Sequence, residues 1–161
     1  MNYQKIKKNI KDNKLHGYNL ASKETRLIAH LTKGIIYLIF MLGIYFILGY
    51  PIRALFNSDF ELSEIGYSAI FGLIVGAIFY PLFTGNLGHK IFGLKVISSE
   101  TGEDYKKSNE GAIRELLKNV LAYLVIPIIW ILWDEKNQNL YDKLTKTYVV
   151  ENKTDINSSD T

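Results

Sequence analysis

Apolar and polar positions along this chain fall into long blocks and not into a fine alternation. The longest apolar block, Gly34–Tyr50 (GIIYLIFMLGIYFILGY), holds no charge. Continued to Ile52, a helix over it is roughly 28 Å long at 1.5 Å per residue, close to the ~30 Å hydrocarbon core of a bilayer. A second block, Ile65–Phe83, is also apolar all round. A 161-residue globule has too little interior to cover two such helices. The pattern predicts two transmembrane helices, about 34–52 and 65–83, and not the core helices of a soluble domain.

The flanks orient them. Eight Lys and Arg side chains precede Gly34, whereas the segment 51–64 sets Arg53 against Asp59, Glu61 and Glu64. This asymmetry places the N-terminus in the cytoplasm and the first loop outside. Residues 1–21, with Lys5, Lys7, Lys8, Lys11 and Lys14 against Asp12, read as a basic cytoplasmic tail. Ser22 can cap a helix with Glu24 in its first turn. Arg26, His30 and Lys33 then share one face, where snorkelling would anchor the helix at the membrane surface. In the second span Ser68, Gly72 and Gly76 form a ridge of small residues that lets another helix approach closely. Tyr80-Pro81 is read as its end.

Beyond it, glycines at 85, 88 and 93 interrupt the chain. Leu94–Ser98 followed by Glu100-Thr101-Gly102 and a polar return reads as a β-hairpin. Lys90 lies among these glycines, yet the spacing fits neither GxxxxGK[ST] nor GxGxxG, which argues against a nucleotide site. In segment 113–133, Ile113, Leu116, Leu117, Val120, Leu121 and Leu124 form a helical stripe opposite Arg114, Glu115, Lys118 and Asn119. That amphipathic pattern suits the membrane surface. Its second half, Val120–Trp133, is apolar, only about 21 Å long as helix, and broken by Pro127. It is either a third span or a shallow re-entrant turn covered by the other helices. Thr147–Val150 is strand-like. If it pairs with Leu94–Ser98, segment 113–133 returns to the side it entered from and Asp142 comes within reach of Arg26. Residues 152–161 read as a disordered tail. The expected fold is an all-α membrane protein: a small bundle of two transmembrane helices and a third amphipathic, re-entrant or spanning helix, with a small cytoplasmic β-hairpin or sheet.

Composition changes this picture little. Mean hydropathy is only +0.03, because Lys/Asn/Asp-rich blocks offset the apolar ones. A formal charge of +3, with no basic patch interleaved with aromatics, argues against nucleic acid. With no cysteine there is no disulfide, thiolate metal site or Cys nucleophile. His16, His30 and His89 are scattered without metal-ligand spacing, so neither a metal nor a cofactor is expected. The first apolar run starts too late and is too long for a secretory signal. No Ser/His/Asp set or acid pair can be assembled, so catalysis is not expected.

Four pieces carry a resemblance: Arg26-Leu-Ile-Ala29, Gly88-His-Lys90-Ile-Phe-Gly93-Leu-Lys-Val96, Ala112-Ile-Arg114, and Leu140-Tyr-Asp142 through Thr147 to Val150. In order and spacing they resemble the RDD family of small bacterial integral membrane proteins, over roughly residues 20–151. The resemblance implies a membrane domain at 22–151 in a bacterial cytoplasmic membrane. It also implies roles for Arg26 and Asp142, which match the first and last of the family's naming Arg and Asp residues, and for Arg114 and Thr147. The middle Asp falls at about Lys33, a departure that removes the natural cation carrier. Transport, including sodium–proton antiport in some members, is what the family implies. The alternative is a membrane-anchored accessory protein that binds a partner. Either role involves the lipid bilayer, and a second copy or another membrane protein as partner.

Overall fold

The computed structural model describes residues 14–51, 53, 61–124 and 129–152. Two short strands, β1 (Lys14–Leu15) and β2 (Tyr18–Asn19), precede the helix α1 (Lys23–Ile47). Then follow α2 (Leu62–Phe83), a short α3 (Leu87–Ile91), β3 (Leu94–Ser98), α4 (Ser108–Ala122), a 3-10 turn (Trp130–Leu132), a short α5 (Leu140–Leu144) and β4 (Thr147–Glu151).

Ser22 caps α1, its Oγ accepting from the Thr25 amide at 3.1 Å, with Glu24 in the first turn. The helix ends at Ile47, five residues short of the expected Ile52, where Gly49 adopts a left-handed φ of 72°. At ~38 and ~33 Å by their rise, α1 and α2 are each long enough for a bilayer. Both are apolar enough to cross one by length and composition. Their outer faces leave Ile39, Phe46, Ile74 and Leu82 more than half exposed. So large an uncovered apolar surface fits hydrocarbon, not water.

Helices α2 and α4 pack closely and antiparallel, as successive contacts between Gly76 and Gly111, Gly72 and Glu115, and Ser68 and Asn119 require. A Cβ at Gly72 would come within 2.8 Å of the Glu115 carbonyl oxygen. One at Gly76 would run into the Gly111 backbone. Asn119 Nδ2 donates to the Ser68 carbonyl at 3.0 Å.

Pro81 does not end α2. It sits inside the last turn, and the helix continues to Phe83 with Thr84 left-handed at φ 58°. Proline cannot donate to the Ala77 carbonyl four residues back. Ser108 Oγ, at the start of α4, donates to that oxygen at 2.8 Å instead.

The expectation for α4 is inverted. Its polar side faces inward: Arg114, Glu115 and Lys118 are buried, while Ile113 is 52% exposed. A helix lying on a membrane surface would turn those charges to water. Here they meet partners on α1, α2 and α5, and the apolar side is left outermost.

The sheet differs from a simple hairpin. β3 pairs with β4 antiparallel over five residue pairs, from Leu94↔Glu151 to Ser98↔Thr147. The expected return after Gly102 is reduced to a single bridge, Ile97↔Asp104. Residues 14–21, read as the end of a tail, are instead built in. β1 and β2 form a two-stranded hairpin, Leu20 bridges Val150, and the Ala21 amide donates to the Val149 carbonyl at 3.0 Å. Leu20 and Ala21 join Val96, Ile97, Val149 and Val150 in the apolar core beneath the strands. Polar side chains with few apolar neighbours in sequence gave no hint of that docking. Because β3 follows α2 and β4 follows the third apolar segment, both ends of that segment lie at the same end of the helices. Lys23 Nζ, donating to the Leu132 carbonyl at 2.8 Å, ties the segment's far end to the start of α1.

Candidate functional site: a buried chain of charges

Where the sheet meets the helices, ionic side chains converge in the interior. α1 supplies Arg26 and Lys33, seven residues and about two turns apart on one face, with Ala29 buried between them. α4 supplies Arg114, Glu115 and Lys118 on its inward side. α5 supplies Asp142, whose placement is set by a capping box. The Asn139 amide donates to Asp142 Oδ2 at 2.9 Å at the first turn of α5.

Asp142, fully buried, is the hub at one end. Arg26 Nη2 lies 2.5 Å from its Oδ2, and Arg114 Nη2 donates to its Oδ1. Arg26 also donates to the Asn137 carbonyl. Burial by itself would raise the Asp142 carboxyl, but the Arg26 and Arg114 guanidiniums outweigh it and hold the group below the ordinary carboxylate range. Arg114 Nε donates to Thr147 Oγ1 at 3.2 Å and Nη1 to the Tyr80 hydroxyl. Tyr80 in turn donates to Glu115 Oε1 at 3.2 Å, where Asn86 Nδ2 donates at 3.2 Å. Lys33 Nζ reaches Glu115 Oε2 at 3.2 Å. A continuous chain thus runs Arg26, Asp142, Arg114, Tyr80, Glu115, Lys33. Buried polar groups partnered this fully rigidify a core and select one arrangement.

The residues singled out from sequence are therefore divided by the structure. Arg26, Lys33, Arg114, Asp142 and Thr147 come together; Arg26 and Lys33 do not snorkel but are each 5% exposed. Gly88 serves packing, since a Cβ there would strike the Ala29 carbonyl of α1. Gly93 holds a φ of 60° at the turn into β3. Lys90 points outward and is exposed. Ser68, Gly72 and Gly76 lie along the α2–α4 contact, Gly72 against the Glu115 backbone. Tyr80, Asn86, His89, Glu115 and Lys118 were not foreseen as site residues. The available signal was the i, i+1, i+4 cluster Arg114, Glu115, Lys118, which marks one polar stripe on a helix otherwise suited to lipid. Among the described residues, no three His, Asp or Glu side chains are grouped as a metal site.

Two membrane-length apolar helices, an inward-facing charged stripe and a small sheet closing one end fit a membrane protein. Residues 20–146 match the model of the RDD family, and the chain belongs to that family. No curated protein and no solved structure matches it.

Proposed function

We propose that the protein is a two-span component of a bacterial cytoplasmic membrane, N-terminus inside, whose buried charged chamber serves the movement of an ion or small solute. One observation carries this reading: ionisable side chains are gathered in the interior at one end of two helices otherwise dressed for lipid. Burying charge at membrane depth is costly, and such residues by default mark a path or a binding site. In this reading α4 runs beside α2 as the first half of a re-entrant element that returns to the side it entered from. The sheet then faces the cytoplasm. A solute path through so small a chain calls for a second copy or another membrane protein around it.

A second reading has its own support. Both network carboxylates are already engaged by cations, as a clamp holding the cytoplasmic sheet to the helices would require. The protein would then be an anchored accessory module that binds a partner. Flux in proteoliposomes separates the two. Transport gives protein-dependent flux of a tested ion, reduced in Lys118→Gln with the fold retained. A folded, silent protein that co-purifies stoichiometrically with another membrane protein gives the accessory role.

A further inference from the structure

Beside the charge chain, between α1, α3, α4 and α5, lies a small cavity of about 50 Å³, several times the space one water requires. Lys23, Arg26, His30, His89, Lys118 and Asn139 supply its polar lining, and no carboxylate lines it. We propose that this cavity is a binding site for a phosphate-bearing anion, either free inorganic phosphate or the headgroup of an anionic lipid at the membrane surface.

The charge count points this way. Arg26, Lys33, Arg114 and Lys118, each at most 5% exposed, face only two buried carboxylates in this network, Glu115 and Asp142. Those carboxylates are saturated. Glu115 takes Tyr80 and Asn86 on one oxygen and Lys33 on the other. Asp142 takes Arg26, Arg114 and the Asn139 amide. Lys118 is left with the poorest share. Its ammonium lies 3.7 Å from Glu115, beyond hydrogen-bond distance, and 5.7 Å from the centroid of the Tyr141 ring. An ammonium carries three donors, and burying them without acceptors is unfavourable.

The histidines add donors to the same space. His89 lines the cavity and is 5% exposed; neither of its ring nitrogens makes a hydrogen bond among the described residues, and its Nδ1 lies on the side of Gly85. His30 lines the cavity one turn from Arg26. A neutral imidazole can donate one N–H to an oxyanion, and Lys118 can donate a charge-assisted bond. A tetrahedral anion seated there would neutralise part of the surplus and occupy donors that the protein leaves open. A cation, by contrast, would face Lys23, Arg26 and Lys118 with no carboxylate in the lining. The site does not depend on solute movement, because binding is measured with no gradient across a membrane.

The test uses the full-length chain. In one arm, protein in neutral detergent is dialysed against radiolabelled inorganic phosphate. In the other, it is assembled into phosphatidylcholine nanodiscs with a minority of phosphatidylglycerol, and the lipid that survives detergent exchange is counted. Phosphate binding in the first arm, weakened at least about tenfold by Lys118→Gln and restored by Lys118→Arg, identifies a free anion. Phosphatidylglycerol retained by the wild type and Lys118→Arg but lost from Lys118→Gln identifies a headgroup. His89→Gln supplies an independent variant if Lys118→Gln does not fold, with weakened binding in the same arm expected. The proposal is overturned if neither arm shows bound phosphorus, or if bound phosphorus is indifferent to both substitutions.

Discussion

Lys33 and Glu115 form a buried ion pair, Nζ to Oε2 at 3.2 Å, across 82 residues of sequence. Lys33 is only 5% exposed, and a carboxylate from α4 holds its ammonium there. The pair joins the first half of α1 to the inward side of α4, and the same carboxylate leads through Tyr80 to Arg114.

Breaking that pair from one side should be expensive. Lys33→Met leaves Glu115 with less compensation in a dry interior and is expected to cost about 3–5 kcal/mol of unfolding free energy. Glu115→Gln in the same background should cost far less than it does alone. Unfolding of the four proteins in mixed micelles measures the coupling, and strictly additive losses would show that the pair is not formed.

The α2–α4 contact gives a steric test. Gly76→Ala puts a methyl into the Gly111 backbone, whereas an added Cβ at Gly66, on the same helix, meets nothing within 4 Å. Alanine is also the better helix former by about 1 kcal/mol. Gly76→Ala should therefore lower the melting temperature by several degrees, about 2 °C or more per kcal/mol lost. Gly66→Ala should leave it unchanged or raised. Equal behaviour of the two variants would remove the close contact.

Topology follows from strand pairing. The chain has no native cysteine, so single introduced cysteines report cleanly. Cysteine in place of exposed Ser63 should label from the outside, and cysteine in place of exposed Thr101 or Lys143 from the cytoplasm. Opposite sidedness of the Thr101 and Lys143 positions would turn the third segment into a full crossing and break the β3–β4 pairing.

Asp142 predicts an acid-sensitive step. Its carboxyl in the folded protein lies below the ordinary 3.8, so between the two values the unfolded chain binds more protons. Stability therefore rises with pH through that window. It is fully present above the ordinary value and lost as pH falls through the folded one. Denaturation followed from pH 6 down to pH 2, a range of about four units around the carboxylate values, should show this loss in the wild type. Asp142→Asn should be less stable at neutral pH and lack this component of the acid dependence. An identical acid profile in both proteins would assign the transition to other carboxylates.

The long helices were legible in the chain itself. Uninterrupted apolar runs and a Ser22 cap are local features; they place the start of α1 and both ends of α2 to within three residues, whereas α1 stops five residues before the expected Ile52. The strand character of Leu94–Ser98 and Thr147–Val150 was equally local. So was the prospect that their pairing would draw Asp142 towards Arg26, since a strand register carries its neighbours with it.

What only the tertiary structure decided is which way the polar faces turn. An amphipathic stripe such as Arg114, Glu115 and Lys118 has the same period whether it faces water or an interior. Periodicity fixes the angle between polar and apolar sides but not which is outside. That choice depends on whether partners for the charges exist elsewhere in the chain. Here they do: Lys33 on α1, Tyr80 and Asn86 around the end of α2, and Asp142 on α5, each 28 to 82 residues from its partner on α4. The docking of residues 14–21 against β4 is likewise a long-range event, drawn by two buried side chains, Leu20 and Ala21, in a stretch whose composition is that of a tail. The sequence by itself determined that this protein is built for a membrane. Long-range pairing of charges, each needing a partner once water is excluded, decided that its ionic residues form an interior.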